Sequence, residues 1–111
     1  MGDRANIKMV FENDVEVYFY THWGGSELPE TLKSALIRGQ SRWDDEPYLA
    51  RIIFSEMIQG QVMDTTGYGI SPYECDNEHP IISVIPSSQK VKIGDSEWTF
   101  EEFTKSSILE F

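Results

Sequence analysis

Residue types that could do chemistry gather at two places in this chain of 111 residues. The first is His22-Trp23-Gly24-Gly25, followed by Ser26. Two adjacent glycines free the backbone, and a helix starting behind them would offer its first N–H groups. Such a turn can hold a phosphate or a carboxylate, with Trp23 as a stacking plate. The plain alternative is a strand-to-helix turn with Trp23 in the core. The motif has neither the lysine of a P-loop nor the spacing of a dinucleotide fingerprint. The second place holds Arg38, Arg42, Trp43, Asp44 and Asp45. Arg38, Arg42 and nearby Arg51 are three of only nine basic residues. Guanidinium forks hold phosphates in pairs of hydrogen bonds, and tryptophan stacks on bases. The plain alternative is internal: an aspartate caps the next helix and an arginine ties the loop to it. Together with Tyr20 and Tyr68, the two places supply the parts of a nucleotide pocket, and the fold decides whether they converge.

Other chemistry has less support. His22 and His79 are the only histidines, and no His or Cys pair sits at ligand spacing, so no metal or cofactor is expected. Cys75 precedes His79 by one helical turn's spacing. Its neighbours Glu74, Asp76 and Glu78 would raise a thiol pKa, which opposes a thiolate nucleophile. No residue is assigned a catalytic role.

The elements that must position these residues follow from pattern. Residues 7–12 and 15–21 alternate apolar and polar around Asn13-Asp14, which predicts a β-hairpin with a two-residue turn. On its second strand Val15, Val17, Phe19 and Thr21 share one face, read as core. Glu16, Tyr18, Tyr20 and His22 share the other, read as a surface that something covers. Ser26 is the expected N-cap of a helix over residues 27–38, with Leu28, Leu32, Ala35 and Leu36 on one face and Gly39 ending it. Asp44 or Asp45 caps a second helix that Gly60 stops, with Tyr48, Leu49, Ile52, Ile53 and Met57 buried.

Beyond Gly60 the chain is turn-rich to residue 69. A short strand is expected within 68–73, a polar turn over 75–80, and strands over 81–85 and 89–93. Thr99 and Glu102 form a capping box, with Trp98 and Phe103 as its hydrophobic staple, for a helix over 100–106. Ile108, Leu109 and Phe111 either dock back or fray. The sum is one α+β domain over residues 1–111 in ββ-αα-βββ-α order. It predicts a mainly antiparallel sheet of about five strands with the helices on one face.

Composition narrows the function classes. The chain is 40% hydrophobic and 13% aromatic, enough to fill one core without disulfides. A single cysteine, no signal-like start and no apolar run of roughly 20 residues predict a cytoplasmic protein with no membrane contact. Nine basic against nineteen acidic residues give a net charge of −10, which repels a nucleic-acid backbone. The acids are spread along the chain, so solubility explains them, and mimicry of a polyanion is the sharper alternative.

The segments MGDRANI, YTHWGGSELPETL, RWDDEPYLARIIFSEMI, TTGYGIS and DNEHP resemble a family of small uncharacterised proteins of bacteria, actinobacteria especially, and of their phages and prophages. The likeness spans about residues 1–85. It implies context rather than an activity: host interaction or counter-defence, in the host cytoplasm if the chain is phage-encoded. Three functions are therefore expected, in order. The first is non-enzymatic sequestration of a small nucleotide-derived ligand by His22, Trp23, Gly24, Gly25, Arg38, Arg42, Trp43 and Tyr68. The second is an acidic inhibitor of a host protein. The third is a small nucleotide-processing enzyme using His22 and His79. A homo-oligomer that covers Tyr18 and Tyr20 fits the first two.

Overall fold

A computed structural model describes residues 2–105. Strands β1 (Ala5–Val10) and β2 (Glu16–Thr21) form the hairpin, and a 3₁₀ turn (Gly25–Glu27) leads into α1 (Leu28–Arg38). A second 3₁₀ turn (Gln40–Arg42) leads into α2 (Glu46–Met57). Strands β3 (Tyr68–Ser71), β4 (Ile82–Ile85), β5 (Lys90–Ile93) and β6 (Ser96–Thr99) follow, then α3 (Phe100–Lys105). The α+β class stands. The sheet has six strands rather than about five, in the order β3-β2-β1-β4-β5-β6. Its pairings are antiparallel except β1 with β4, which run parallel, so the sheet is mixed.

Two local expectations are corrected. Ser96–Thr99 is a strand, β6, that continues straight into α3. Only Trp98 there is apolar, opposite Val91, so the segment carries no alternation long enough to read. The hairpin loop is Glu12-Asn13-Asp14, because Phe11 N–H still donates to Val15 O at 2.8 Å. Asp14 takes φ 66, the left-handed residue that closes a three-residue loop.

The register builds one core. Ile7 lies between Phe19 and Ile82, Met9 between Val17 and Val84, and Val84 opposite Val91. Leu28, Leu32, Ala35 and Leu36 of α1, Leu49, Ile53 and Met57 of α2, and Phe100 and Phe103 of α3 are buried in the same cluster. Their spacing is one helical face in each case. Tyr48, expected inside, is 55% exposed, while Trp43 packs edge-on to Phe100 at 5.4 Å. The capping box forms as expected: Thr99 N–H donates to Glu102 Oε1 at 2.9 Å and Glu102 N–H to Thr99 Oγ1 at 3.0 Å. Residues 108, 109 and 111 lie outside the described residues.

The connection from β3 to β4 crosses β2 and β1 on the sheet's outer face as coil. Buried Asn6, which alternates outward from Ala5 and Ile7, holds it down. Asn6 Nδ2 donates toward Cys75 O and Asp76 O, both at 3.2 Å, and Asn77 Oδ1 at 3.1 Å. Asn6 Oδ1 accepts from Cys75 N–H at 3.3 Å. The tyrosine face of β2 is thus partly covered by the chain itself.

Candidate functional site

The strand-to-helix joint is built around an aspartate from the N-terminal segment. Asp3 N–H donates to His22 O at 2.7 Å, and Gly25 N–H donates to Asp3 O at 2.8 Å. Asp3 Oδ2 accepts from Ser26 N–H at 2.8 Å, and Asp3 Oδ1 lies 2.6 Å from His79 Nε2. Hydrogen bonding from Ser26, and then from His79, holds the Asp3 carboxyl down at about 2. The anion expected in front of this helix is therefore one of the chain's own. Ser26 serves Asp3 through its side chain as well as its backbone N–H, and neither the 3₁₀ turn nor α1 has a side-chain cap at its N-cap residue.

Gly25 is required by this approach. A Cβ there would stand 2.6 Å from Asp3 O and 2.8 Å from His79 Cδ2. Gly24 has φ −108, and a Cβ there would meet Thr21 Oγ1 at 3.1 Å, the atom that accepts its N–H at 3.0 Å. Gly67, at φ +100, lies under Trp23: a Cβ would fall 2.3 Å from Trp23 Cζ3. Trp23 is 53% exposed, and His22 meets its ring edge-on at 5.1 Å while bonding Tyr20 Oη through Nδ1 at 2.8 Å.

Arg4 extends the network. Its N–H donates to Glu78 Oε1 at 2.8 Å, and its guanidinium lies 3.4 Å from Glu78 and 3.6 Å from Asp76. The Arg4 N–H, and then its side chain, keeps the Glu78 carboxyl below its ordinary range. The N-terminal segment, the His22–Gly25 joint, Gly67 and the 75–79 turn therefore meet in one place. Sequence reasoning missed Asp3, Arg4 and Asn6. The one available signal was a charged, polar start with no other role.

The second cluster lies at the far end of α1, about 15 Å along its axis at 1.5 Å per residue. Arg38 ties α1 to α2: Nε donates to Glu56 Oε1 at 2.9 Å, and Nη2 to Ile52 O at 3.0 Å and Ser55 Oγ at 2.7 Å. Arg42 lies over the Tyr48 ring at 5.1 Å and 3.7 Å from Asp45, whose carboxylate accepts from Tyr48 N–H at 3.5 Å as the α2 cap. Trp43 Nε1–H donates to Leu36 O at 3.0 Å. So Arg38, Arg42 and Trp43 sit together but apart from His22, Trp23, Gly24, Gly25 and Tyr68.

Several hollows lie near these elements, and two of them bear on binding. One, of about 220 Å³, is lined by Thr21, Gly24, Glu27, Glu56, Gln59 and Tyr68 among others. It is smaller than a usual ligand pocket, and its two carboxylates oppose a phosphate. The other is a mainly apolar groove of about 480 Å³ between α2 and β3, lined by Phe19, Ala50, Phe54, Ile58, Val62 and Ile70 together with Arg51 and Ser55. Val62 is 65% and Ile70 60% exposed. Val62 falls in a stretch that reads as turns, which hid it, and Ile70 lies in the short strand expected within 68–73.

Comparison with protein-family models, with curated proteins and with solved structures gave no match. Among the described residues no helix is long and apolar enough to cross a membrane. Among the same residues no group of three or more His, Cys, Asp or Glu side chains is arranged to hold a metal ion.

Proposed function

We propose that this chain works by binding another protein without catalysis, and that the groove between α2 and β3 is its contact surface. The observation that carries this reading is the mainly apolar lining of Phe54, Ile58, Val62 and Ile70, with Val62 and Ile70 exposed beside a sheet edge and Arg51 and Ser55 in the same lining. Apolar surface of that kind gains free energy when covered, at roughly 25 cal/mol per Å². The net charge of −10 selects a partner with a basic surface and speeds encounter with it. The resemblance to phage and prophage proteins makes a protein of the bacterial host the expected partner.

The test places a photo-crosslinking residue at Val62 and, as a control on another strand of the sheet, at Lys92. In bacterial lysate Val62 is expected to give a discrete adduct whose yield falls as salt is raised before irradiation. Equal adducts from both positions would defeat the reading.

A second reading keeps the small nucleotide-derived ligand. It is favoured by the hollow at Tyr68, whose Thr21, Gln59 and Gln61 offer hydrogen bonds to a base or sugar. Thermal stability across nucleotides, cyclic dinucleotides and ADP-ribose derivatives tests it. A ligand at a hundred times its Kd adds about 2.7 kcal/mol, roughly 10 °C for a domain of this size. A flat panel removes it.

A further inference from the structure

We infer that the free edge of β3 is a strand-addition site for an extended segment of the partner in which apolar and basic residues alternate. The inference rests on the protein-binding reading above and names its occupant.

The backbone comes first. His22 N–H donates to Gly67 O at 2.8 Å, and Tyr20 pairs with Gly69 and Tyr18 with Ser71 in the same phase. Antiparallel ladders alternate, so the intervening Tyr68 and Ile70 turn their N–H and C=O groups away from β2. Among the described residues no strand pairs with that side of β3. Natural edges are commonly blunted by a very short strand, by a charge or by a proline. β3 is four residues long, and its sequence, Tyr-Gly-Ile-Ser, carries neither charge nor proline, Pro72 coming only after it.

Side chains then set the pattern of the guest. The inner face of β3 carries Ile70, opposite Phe19, and opens into the groove toward Phe54, Ile58 and Val62. Every second residue of an added strand would enter that groove and must be apolar. The outer face carries Gly69 and Ser71, with Tyr18 next to Ser71. Glu74 and Asp76 line an outer-face hollow with Tyr20, the residue paired with Gly69. The remaining residues of the guest would lie on this acidic side, which calls for lysine or arginine. A second copy of this chain fits poorly. It would bring its own Glu74 and Asp76 to the same place, with another −10 of net charge.

The probe is a pool of heptapeptides with lysine at alternate positions and Val, Ile, Leu, Phe or Tyr between them. Members are expected to bind at micromolar to sub-millimolar Kd. They should shift the amide signals of 68–71, Phe54, Ile58 and Val62, and slow amide exchange at Tyr68 and Ile70 about tenfold or more. Ile70→Lys, at an exposed position, should keep the melting temperature and weaken binding at least about tenfold. N-methylation of the peptide's alternate amides should abolish binding. The inference is overturned if no member binds below about 1 mM. It also falls if shifts spread over the acidic surface without slowed exchange, or if the protein alone protects Tyr68 and Ile70 as a concentration-dependent dimer. If the Val62 crosslink forms while the peptides fail, strand addition is wrong and protein binding survives.

Discussion

Alanine at Gly25 should destabilise the fold far more than alanine at its neighbour Gly24. The new Cβ at position 25 would stand 2.6 Å from Asp3 O, 2.8 Å from His79 Cδ2 and 3.0 Å from Asp3 Oδ1. A backbone oxygen cannot rotate away. It moves only if the N-terminal segment lifts, which breaks the bonds from Gly25 N–H and Ser26 N–H to Asp3. Overpacking costs about 1–3 kcal/mol, and two lost hydrogen bonds cost about 1 kcal/mol each. The lower-energy route wins, so the penalty is about 2 kcal/mol. At Gly24 the nearest atom is a side-chain oxygen at 3.1 Å and φ is −108. There the smaller entropy of the unfolded alanine chain, about 0.4–1 kcal/mol, offsets most of the crowding. Urea unfolding with a slope near 1–1.5 kcal/mol per M should show a midpoint about 1.5 M lower for Gly25→Ala and near wild type for Gly24→Ala. Deleting residues 1–4 should remove most of the Gly25 penalty, giving a coupling of about 1.5 kcal/mol in the cycle. Equal midpoints for the two alanine variants, or no coupling to the deletion, would refute the account of the joint.

The Asp3 carboxyl is depressed from 3.8 to about 2, so its stabilisation is complete above about pH 4 and fades as pH falls toward 2. Asp3→Asn should therefore lower the urea midpoint at neutral pH, and the gap to wild type should close between about pH 4 and pH 2. Trp43→Phe should cost about 1–2 kcal/mol by urea titration, because it frees the Leu36 carbonyl and trims the contact with Phe100, and it should leave partner binding intact. Thr99→Ala should cost about 1 kcal/mol by opening the capping box, read as a lower melting temperature.

Local features were legible in the sequence. The faces of α1 and α2, the Asp45 cap and the Thr99–Glu102 box each depend on residues within about a turn of one another. Features made by distant contacts were not. The parallel pairing of β1 with β4 and the coil that crosses the sheet leave no periodic signal. Trp98 illustrates overlap: it was legible as a staple on Phe103, and that reading concealed its place on β6. The joint at His22–Gly25 was legible as unusual backbone. Its occupant was not, because Asp3 reaches Ser26 across 23 positions. Tyr48 does not take the buried place expected of it: Trp43 reaches Leu36 O and the Phe100 ring, while Tyr48 lies out under Arg42.

The residues best suited to chemistry are the ones most occupied by the fold. A crossover normally gains its stability from a helix packed on the sheet. Here a coil crosses instead, held by the Asn6 amide, by Arg4 between Glu78 and Asp76, and by His79 on Asp3. To serve a ligand these groups would have to leave partners already at hydrogen-bond distance, and a ligand would gain only the difference. Arg38 and Arg42 are engaged with Glu56 and Asp45 in the same way. The groove at Phe54, Ile58, Val62 and Ile70 is in the opposite position. Those side chains lose nothing when covered, and the Tyr68 and Ile70 backbone groups exchange water for a strand. The α2–β3 edge therefore has more to gain from a partner than the polar joints have.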